Sequence, residues 1–408
     1  MRSADLAGAP ARPPLGLTLV ALVVAQIGLH GCLNGMRMTV PLLALSQDQG
    51  AAVIGLLMAL FAVFPFLLAI PAGRLVDRRG YRLPARLAAL LAFFGAGLAV
   101  VSNHPLVLGG AAALTGAGSA VGMIALQRTA GRLARGDAER LRIFSWVALA
   151  PSVATFVGPM LAGALIDHVG YRTAFAGLAL LPLGSLLATA WAPVDAPKPG
   201  AVVGRAGAAP AGNAWSLLGH ADLRRLFFIN WLIAASWDAH AFALPILGHQ
   251  RGLSASAIGT VLAAYAVTSA AVRLAIPLLA EHLQPRLVMA GALALTAAVF
   301  GLYPWLDSAW AMAACAGTIG IGLGAIQPAV MTSLHACSPP ERQGEALGLR
   351  STVIHFSTLV MPISFGAVGS LLGVGPVFWL MGTALTLGSW QALRLHRPPS
   401  PLTEPSAP

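Results

Sequence analysis

Charge is scarce in this chain: Asp, Glu, Lys and Arg make up 10% of its 408 residues, against roughly a quarter in an ordinary soluble domain. A water-facing globule needs more than that, so a soluble reading is excluded. Cysteine is scarcer still. Cys32, Cys315 and Cys337 sit in apolar surroundings, too few for a disulfide framework or a metal cluster, and read as packing residues. Acidic residues number 14 against 25 basic ones, giving a net charge of +11. Such an excess would point to nucleic acid if it were clustered on a soluble face. Here it is spread through loops, and nucleic acid is set aside as a partner. Motifs that carry catalysis are missing as well: no H-E-x-x-H, no G-x-S-x-G and no clustered carboxylates. An enzyme is therefore not expected, nor a metal or cofactor, and the lack of a P-loop excludes ATP as the driving force. Met1 to Pro14 is rich in Pro and Ala without an apolar core and cleavage site, so it reads as a tail rather than a signal peptide.

What is abundant is hydrophobic sequence, 57% of the chain. A bilayer core about 30 Å thick takes roughly 20 apolar residues per helix, and runs of that size recur. Lipid offers no partner to a free backbone amide, and the runs do not alternate as barrel strands would, so they must be helices. Six spans are expected near Leu17–Leu45, Ala52–Leu75, Pro84–Val101, Leu106–Gln127, Ile143–Ile166 and Thr173–Trp191. Six more fall near Leu223–Leu247, Ala255–Ala280, Arg286–Tyr303, Ala309–His335, Ala346–Leu372 and Pro376–Leu395. This divides the chain into a tail at 1–14, a six-helix bundle at 15–191, a Pro/Gly/Ala-rich loop at 192–222, a second bundle at 223–395 and a tail at 396–408.

Basic residues are distributed unequally between the connections. With both termini on one side, that side receives Arg74, Arg78, Arg79, Arg82, Arg128, Arg132, Arg135, Arg140, Arg286, Arg342 and Arg350, among others, while only Arg172 and Arg251 lie opposite. The bias of Lys and Arg towards the cytoplasm then puts both termini inside. The halves also resemble each other, the trace of an internal repeat. Pro41-Leu42-Leu43 matches Pro245-Ile246-Leu247, and Ala52-Val53-Ile54-Gly55 matches Ser256-Ala257-Ile258-Gly259, which sets Asn34 opposite Asp238.

Between the second and third spans the chain reads Gly73-Arg74-Leu75-Val76-Asp77-Arg78-Arg79-Gly80-Tyr81-Arg82, a G-x-x-x-D-R-x-G-x-R pattern. Gly73 permits close helix approach, Gly80 a tight turn, and Asp77 can pair with an arginine or with a facing helix N-terminus. In this pattern the sequence resembles the major facilitator superfamily, and the similarity of layout runs over residues 15–395. The resemblance implies an all-α fold of twelve transmembrane helices in two pseudo-symmetric six-helix bundles. It also implies a gating loop, formed by Gly73, Asp77, Arg78, Gly80 and Arg82, that breaks as the halves rock. The second half departs from the pattern: Arg273-Leu274-Ala275-Ile276-Pro277 through His282 lacks its glycines and its Asp. Pro340-Glu341-Arg342-Gln343-Gly344-Glu345 resembles the family's charged loop before the eleventh helix, with Arg135 to Arg140 as its first-half counterpart.

In the fifth span, Gly158-Pro159 and Gly163 fall in a stretch close to a family element associated with antiporters, with two of its glycines changed to alanine. Helix packing explains the same small residues equally well. A fourth-helix arginine that marks proton-coupled drug exporters is replaced here by Ala112. Ionisable groups inside a membrane are costly and so become candidates for function: Arg37 in the first span, Asp238 and His240 in the seventh, His355 in the eleventh, with Arg273 near a span end where it could snorkel. Three roles stand open for Arg37 and Asp238. Asp238 could carry a proton with His240 beside it, Arg37 could bind a carboxylate or phosphate with Asn34 orienting it, or the two could form a structural pair. Tyr265, Trp231, Trp237, Gln26, Gln127, Gln327, His30 and His335 complete the candidates for a cavity wall.

The expectation is a monomeric secondary transporter in a bacterial inner membrane, moving a small-molecule substrate through the lipid bilayer by alternating access. Coupling to protons or another ion is expected, with efflux slightly favoured. Uptake or uniport of an anionic metabolite, or a receptor that binds without transport, are the alternatives.

Overall fold

The computed structural model describes residues 15–133, 137–191, 214–279, 283–339 and 342–395. Expectations for the tails, for residues 192–213, and for Arg135-Gly136, Ala280 to His282 and Pro340-Glu341 lie outside the described residues. Twelve α-helices follow in order: α1 (Leu15–Ser46), α2 (Ala51–Arg79), α3 (Arg82–Val101), α4 (Pro105–Leu133), α5 (Asp137–Val169), α6 (Tyr171–Trp191), α7 (Ala221–Gln250), α8 (Ala255–Leu279), α9 (Pro285–Leu302), α10 (Ala309–Cys337), α11 (Gln343–Leu372) and α12 (Gly375–Leu393). A 3-10 turn, Ala214–Gly219, leads into α7.

Ten of the twelve helices are long and apolar enough by themselves to cross a membrane. The two others are explained by composition. In α7 the apolar run is diluted by Asp222, Arg224, Arg225 and Asp238, and α12 carries Gly375, Pro376, Ser389 and Gln391 in a helix of 19 residues. Several helices extend beyond the expected spans at the end that bears the termini. α2 continues through Arg79, so most of the signature segment is helical rather than looped, and Gly80 ends it at φ 72°. Only glycine adopts that backbone without strain.

Helices α1–α6 and α7–α12 form two bundles of the same layout, with α3, α6, α9 and α12 on the outside. Leu87, Leu90, Phe94 and Leu98 on α3, Leu180 and Leu187 on α6, and Leu380 and Leu387 on α12 are exposed. In hydrocarbon such faces need no cover. The interior faces are built from small residues. Within the first bundle a Cβ on Gly116 would fall 2.1 Å from the Phe61 carbonyl oxygen, and one on Gly118 would fall 2.5 Å from that of Ala88. In the second, Gly320 meets the Tyr265 carbonyl at 2.4 Å and Gly322 that of Ala292 at 3.1 Å. A single sequence offset relates all four pairs, and it is the same offset that matches Gly55 to Gly259. The repeat is thus a repeat of backbone contacts.

The bundles meet along two seams, α2 with α11 and α5 with α8. A Cβ on Gly55 would lie 2.4 Å from the Pro362 carbonyl oxygen, and one on Gly259 2.6 Å from that of Pro159. α2 and α8 begin at these contacts while α5 and α11 end near them, so both seams lie at the end away from the termini. Asp167, at the end of α5, adds a bond across the halves: its two carboxylate oxygens accept from the Ala255 and Ser256 amides at 2.9 and 2.8 Å, capping α8 from another bundle. The molecule is closed at that end. On the terminus side the described residues of the two halves part around a cavity.

Candidate transport site

The cavity has a volume of ≈ 350 Å3 and lies between the bundles, walled by α1, α5, α7, α8, α10 and α11. Helical spacing sets its wall. His30, Asn34 and Arg37 recur every three or four residues on α1, as do Asn230, Ile233, Ala234 and Trp237 on α7 and Tyr265, Ser269 and Arg273 on α8.

At the deep end Arg37 Nη2 donates to Asp238 Oδ1 at 3.2 Å, joining the first helix of one bundle to the first helix of the other. The Arg37 side chain is 13% exposed and that of Asp238 1%, so the arginine faces the cavity with the carboxylate behind it. Thr358 of α11 approaches the same carboxylate. The pairing is incomplete, because Arg37 Nε and Asp238 Oδ2 are buried without a hydrogen-bond partner. Beside the pair, the Trp237 and Tyr265 rings lie 4.6 Å apart, centre to centre. Asn34 donates to Thr155 Oγ1 of α5 at 3.1 Å, which holds its carboxamide at the wall. His30 Nδ1 is bonded to Gln26 and to Ser119 Oγ of α4, the latter at 3.0 Å. Nearer the open end, Gln327 accepts from Arg350 Nη2 of α11 at 2.7 Å.

Other candidates are placed elsewhere. His240 follows Asp238 by two positions and therefore leaves the helix on nearly the opposite face. It is fully buried, its Nε2 bonded to Tyr303 Oη at 3.0 Å, while the same hydroxyl donates to the Met312 carbonyl at 3.1 Å. It belongs to the contact of α7 with α10 and with the 3-10 turn Tyr303–Trp305 that follows α9, outside the cavity lining. His355 is exposed on α11 outside the lining. Trp231, Gln127 and His335 also lie outside it. Arg273 does line the cavity, although snorkelling alone would account for its position in sequence. Asn230 also lines the cavity and is not among the sequence candidates, although it is an amide within an apolar run as Gln26 and Gln327 are.

The signature segment forms its own cluster at the terminus-bearing end. Asp77 of α2 is paired with Arg128 of α4, an intrabundle partner, and a Cβ on Gly73 would lie 3.0 Å from Arg128 Nη2. Gly158 is packed against backbone, its would-be Cβ 2.3 Å from the Gly31 carbonyl oxygen of α1, and a Cβ on Gly163 would lie 2.6 Å from that of Ala255 on α8. Among the described residues no group of His, Cys, Asp and Glu is arranged to hold a metal ion.

The model of the Major Facilitator Superfamily matches residues 22–224 and 226–408. The chain belongs to the major facilitator superfamily. As a superfamily member it is a multi-pass membrane transporter, and its two matched segments correspond to the two bundles. Solved structures agree in fold. A POT family transporter in complex with a thioalcohol-conjugated peptide superposes with a TM-score of 0.73 at 13% identity, over 92% of this chain and 95% of that one. A POT family transporter in complex with 5-aminolevulinic acid gives 0.72 at 13% identity with the same coverage. No curated relative matches the chain by sequence alone.

Proposed function

We propose that this superfamily member cotransports protons with a small solute bearing an anionic group, by alternating access as a monomer in a bacterial cytoplasmic membrane. Both termini face the cytoplasm, as the asymmetry of basic residues supports. The observation that carries the reading is the Arg37–Asp238 pair: one arginine, facing the cavity, held by one carboxylate of the other bundle. While Asp238 is charged, Arg37 is engaged. A proton on Asp238 removes that partner and frees the guanidinium for a carboxylate or phosphate, the groups its planar fork fits. Proton and anion are thus loaded together. The buried charge stays compensated, as a low-dielectric site requires.

Export was the direction towards which the fifth-helix glycines leaned. In this geometry Gly158 and Gly163 are used for packing, and joint loading of proton and anion favours uptake down a proton gradient. Asp77, Arg78, Gly80 and Arg82 then act at the cytoplasmic end, where the Asp77–Arg128 pair is rearranged as that end closes. The test is flux in proteoliposomes under imposed pH gradients across a panel of small acids. Asp238→Asn is expected to abolish gradient-driven accumulation while leaving downhill exchange, and Arg37→Ala to lose flux of the acids. Unchanged gradient-driven accumulation by Asp238→Asn would overturn the coupling, and binding without saturable flux would favour a receptor.

A further inference from the structure

Among the described residues of the cavity wall, one buried carboxamide has both its donor and its acceptor unpaired. Asn34 is bonded to Thr155, Gln327 to Arg350 and His30 to Gln26 and Ser119. Asn230 is 2% exposed, and both its Nδ2 and its Oδ1 are buried without a hydrogen-bond partner. It lines the same cavity as Arg37. A buried carboxamide with neither donor nor acceptor satisfied is destabilising, and helix packing gives no reason for it, since leucine has the same shape without the cost.

We infer that Asn230 is a substrate-recognition residue, taking a neutral group that both donates and accepts, an amide or a hydroxyl, at the far end of the transported acid from Arg37. The inference rests on the proposed anion site at Arg37. Geometry sets the form of the ligand. Asn230 lies eight positions before Asp238 on α7, which at 1.5 Å per residue separates the two sites by roughly 12 Å along the helix. Between them the wall is Ile233, Ala234 and the Trp237–Tyr265 ring pair. The matching solute carries its charge at one end, an apolar or planar middle of about that length, and an uncharged hydrogen-bonding group at the other end. A site that hydrogen-bonds a solute group rejects an analogue lacking it, because the protein's own polar atoms are then left unpaired.

The experiment measures binding of a matched series of aryl-alkanoic acids, ending in a primary amide, a hydroxyl or a methyl group, to the purified full chain by its tryptophan fluorescence. Wild type is expected to prefer the amide- or hydroxyl-ended acid to the methyl-ended one by about tenfold or more. In Asn230→Ala and the isosteric Asn230→Leu that ratio falls towards one, whereas Arg37→Ala weakens every acid by a similar factor and keeps the ratio. The two substitutions differ in shape, so agreement between them separates loss of the amide from a packing defect. A wild-type ratio near one, or a tenfold ratio surviving in both Asn230 variants, overturns the inference. If the corresponding neutral methyl esters bind as well as the acids and still show an Asn230-dependent ratio, the anion site fails while the role of Asn230 stands.

Discussion

Arg37 and Asp238 are each expensive to bury alone, and their worth lies in mutual dependence. Removing one partner strands the other charge, a change that typically costs about 3–5 kcal/mol, while replacing both by apolar residues of similar size is often neutral or favourable. Asp238→Ala is therefore expected to lower the thermal midpoint of the detergent-solubilised protein markedly, with much of the loss recovered in Arg37→Met/Asp238→Leu. That double variant should be stable and inactive in transport. If it melts no later than Asp238→Ala, the pair is not what makes the single change costly. At Gly158 the argument is steric: a side chain there would meet the Gly31 carbonyl at 2.3 Å, an immovable backbone atom. Gly158→Val should destabilise by about 1–3 kcal/mol or more through overpacking, while Gly97→Val, on a site with nothing within 4 Å, should leave the melting curve nearly unchanged.

Helices were the most legible part of the sequence, because a stretch of twenty apolar residues in lipid has one way to satisfy its backbone. Their ends were less so. The signature from Gly73 to Arg79 has the charges of a loop, yet it is the last two turns of α2, since the membrane ends before the helix does. The likeness of Asn34 to Asp238 and the candidacy of Arg37 came from sequence. That His240 turns away, and that Asp77 pairs with Arg128 of its own bundle, depends on rotational phase and on partners distant in the chain. Asp167 had no signal at all: a lone acid at a span end becomes informative only when the α8 N-terminus is beside it. Its two bonds are to orphan amides of that helix, the kind of cap whose loss costs about 1 kcal/mol. Asp167→Ala is expected to shift the resting population towards a state open at the end away from the termini. Distances between spin labels at Ser46 and Gln250, both exposed on that rim, should lengthen in part of the sample; a distribution identical to wild type would exclude a gating role for the cap.

For the molecule as a whole, transport by rocking requires both seams to part. A Cβ on Gly369 of α11 would lie 3.0 Å from the Ala51 Cβ of α2, shorter than the roughly 3.5–4.5 Å a disulfide spans, so a slight separation of the two helices lets a bridge form. With Cys32, Cys315 and Cys337 replaced by serine, Ala51→Cys/Gly369→Cys is expected to lose most flux on oxidation and regain it on reduction. Undiminished flux in the fully oxidised form would mean that the α2–α11 seam never opens. The two seams are copies of one joint, Gly55 on Pro362 and Gly259 on Pro159, but only the α5–α8 copy carries Asp167. The joints match in backbone contact and differ by one acid. The molecule should therefore unzip from one edge, α2 leaving α11 before α5 leaves α8, so that its first opening is a sideways slit rather than a symmetrical mouth, and the first water to reach Arg37 from the end away from the termini enters along α2.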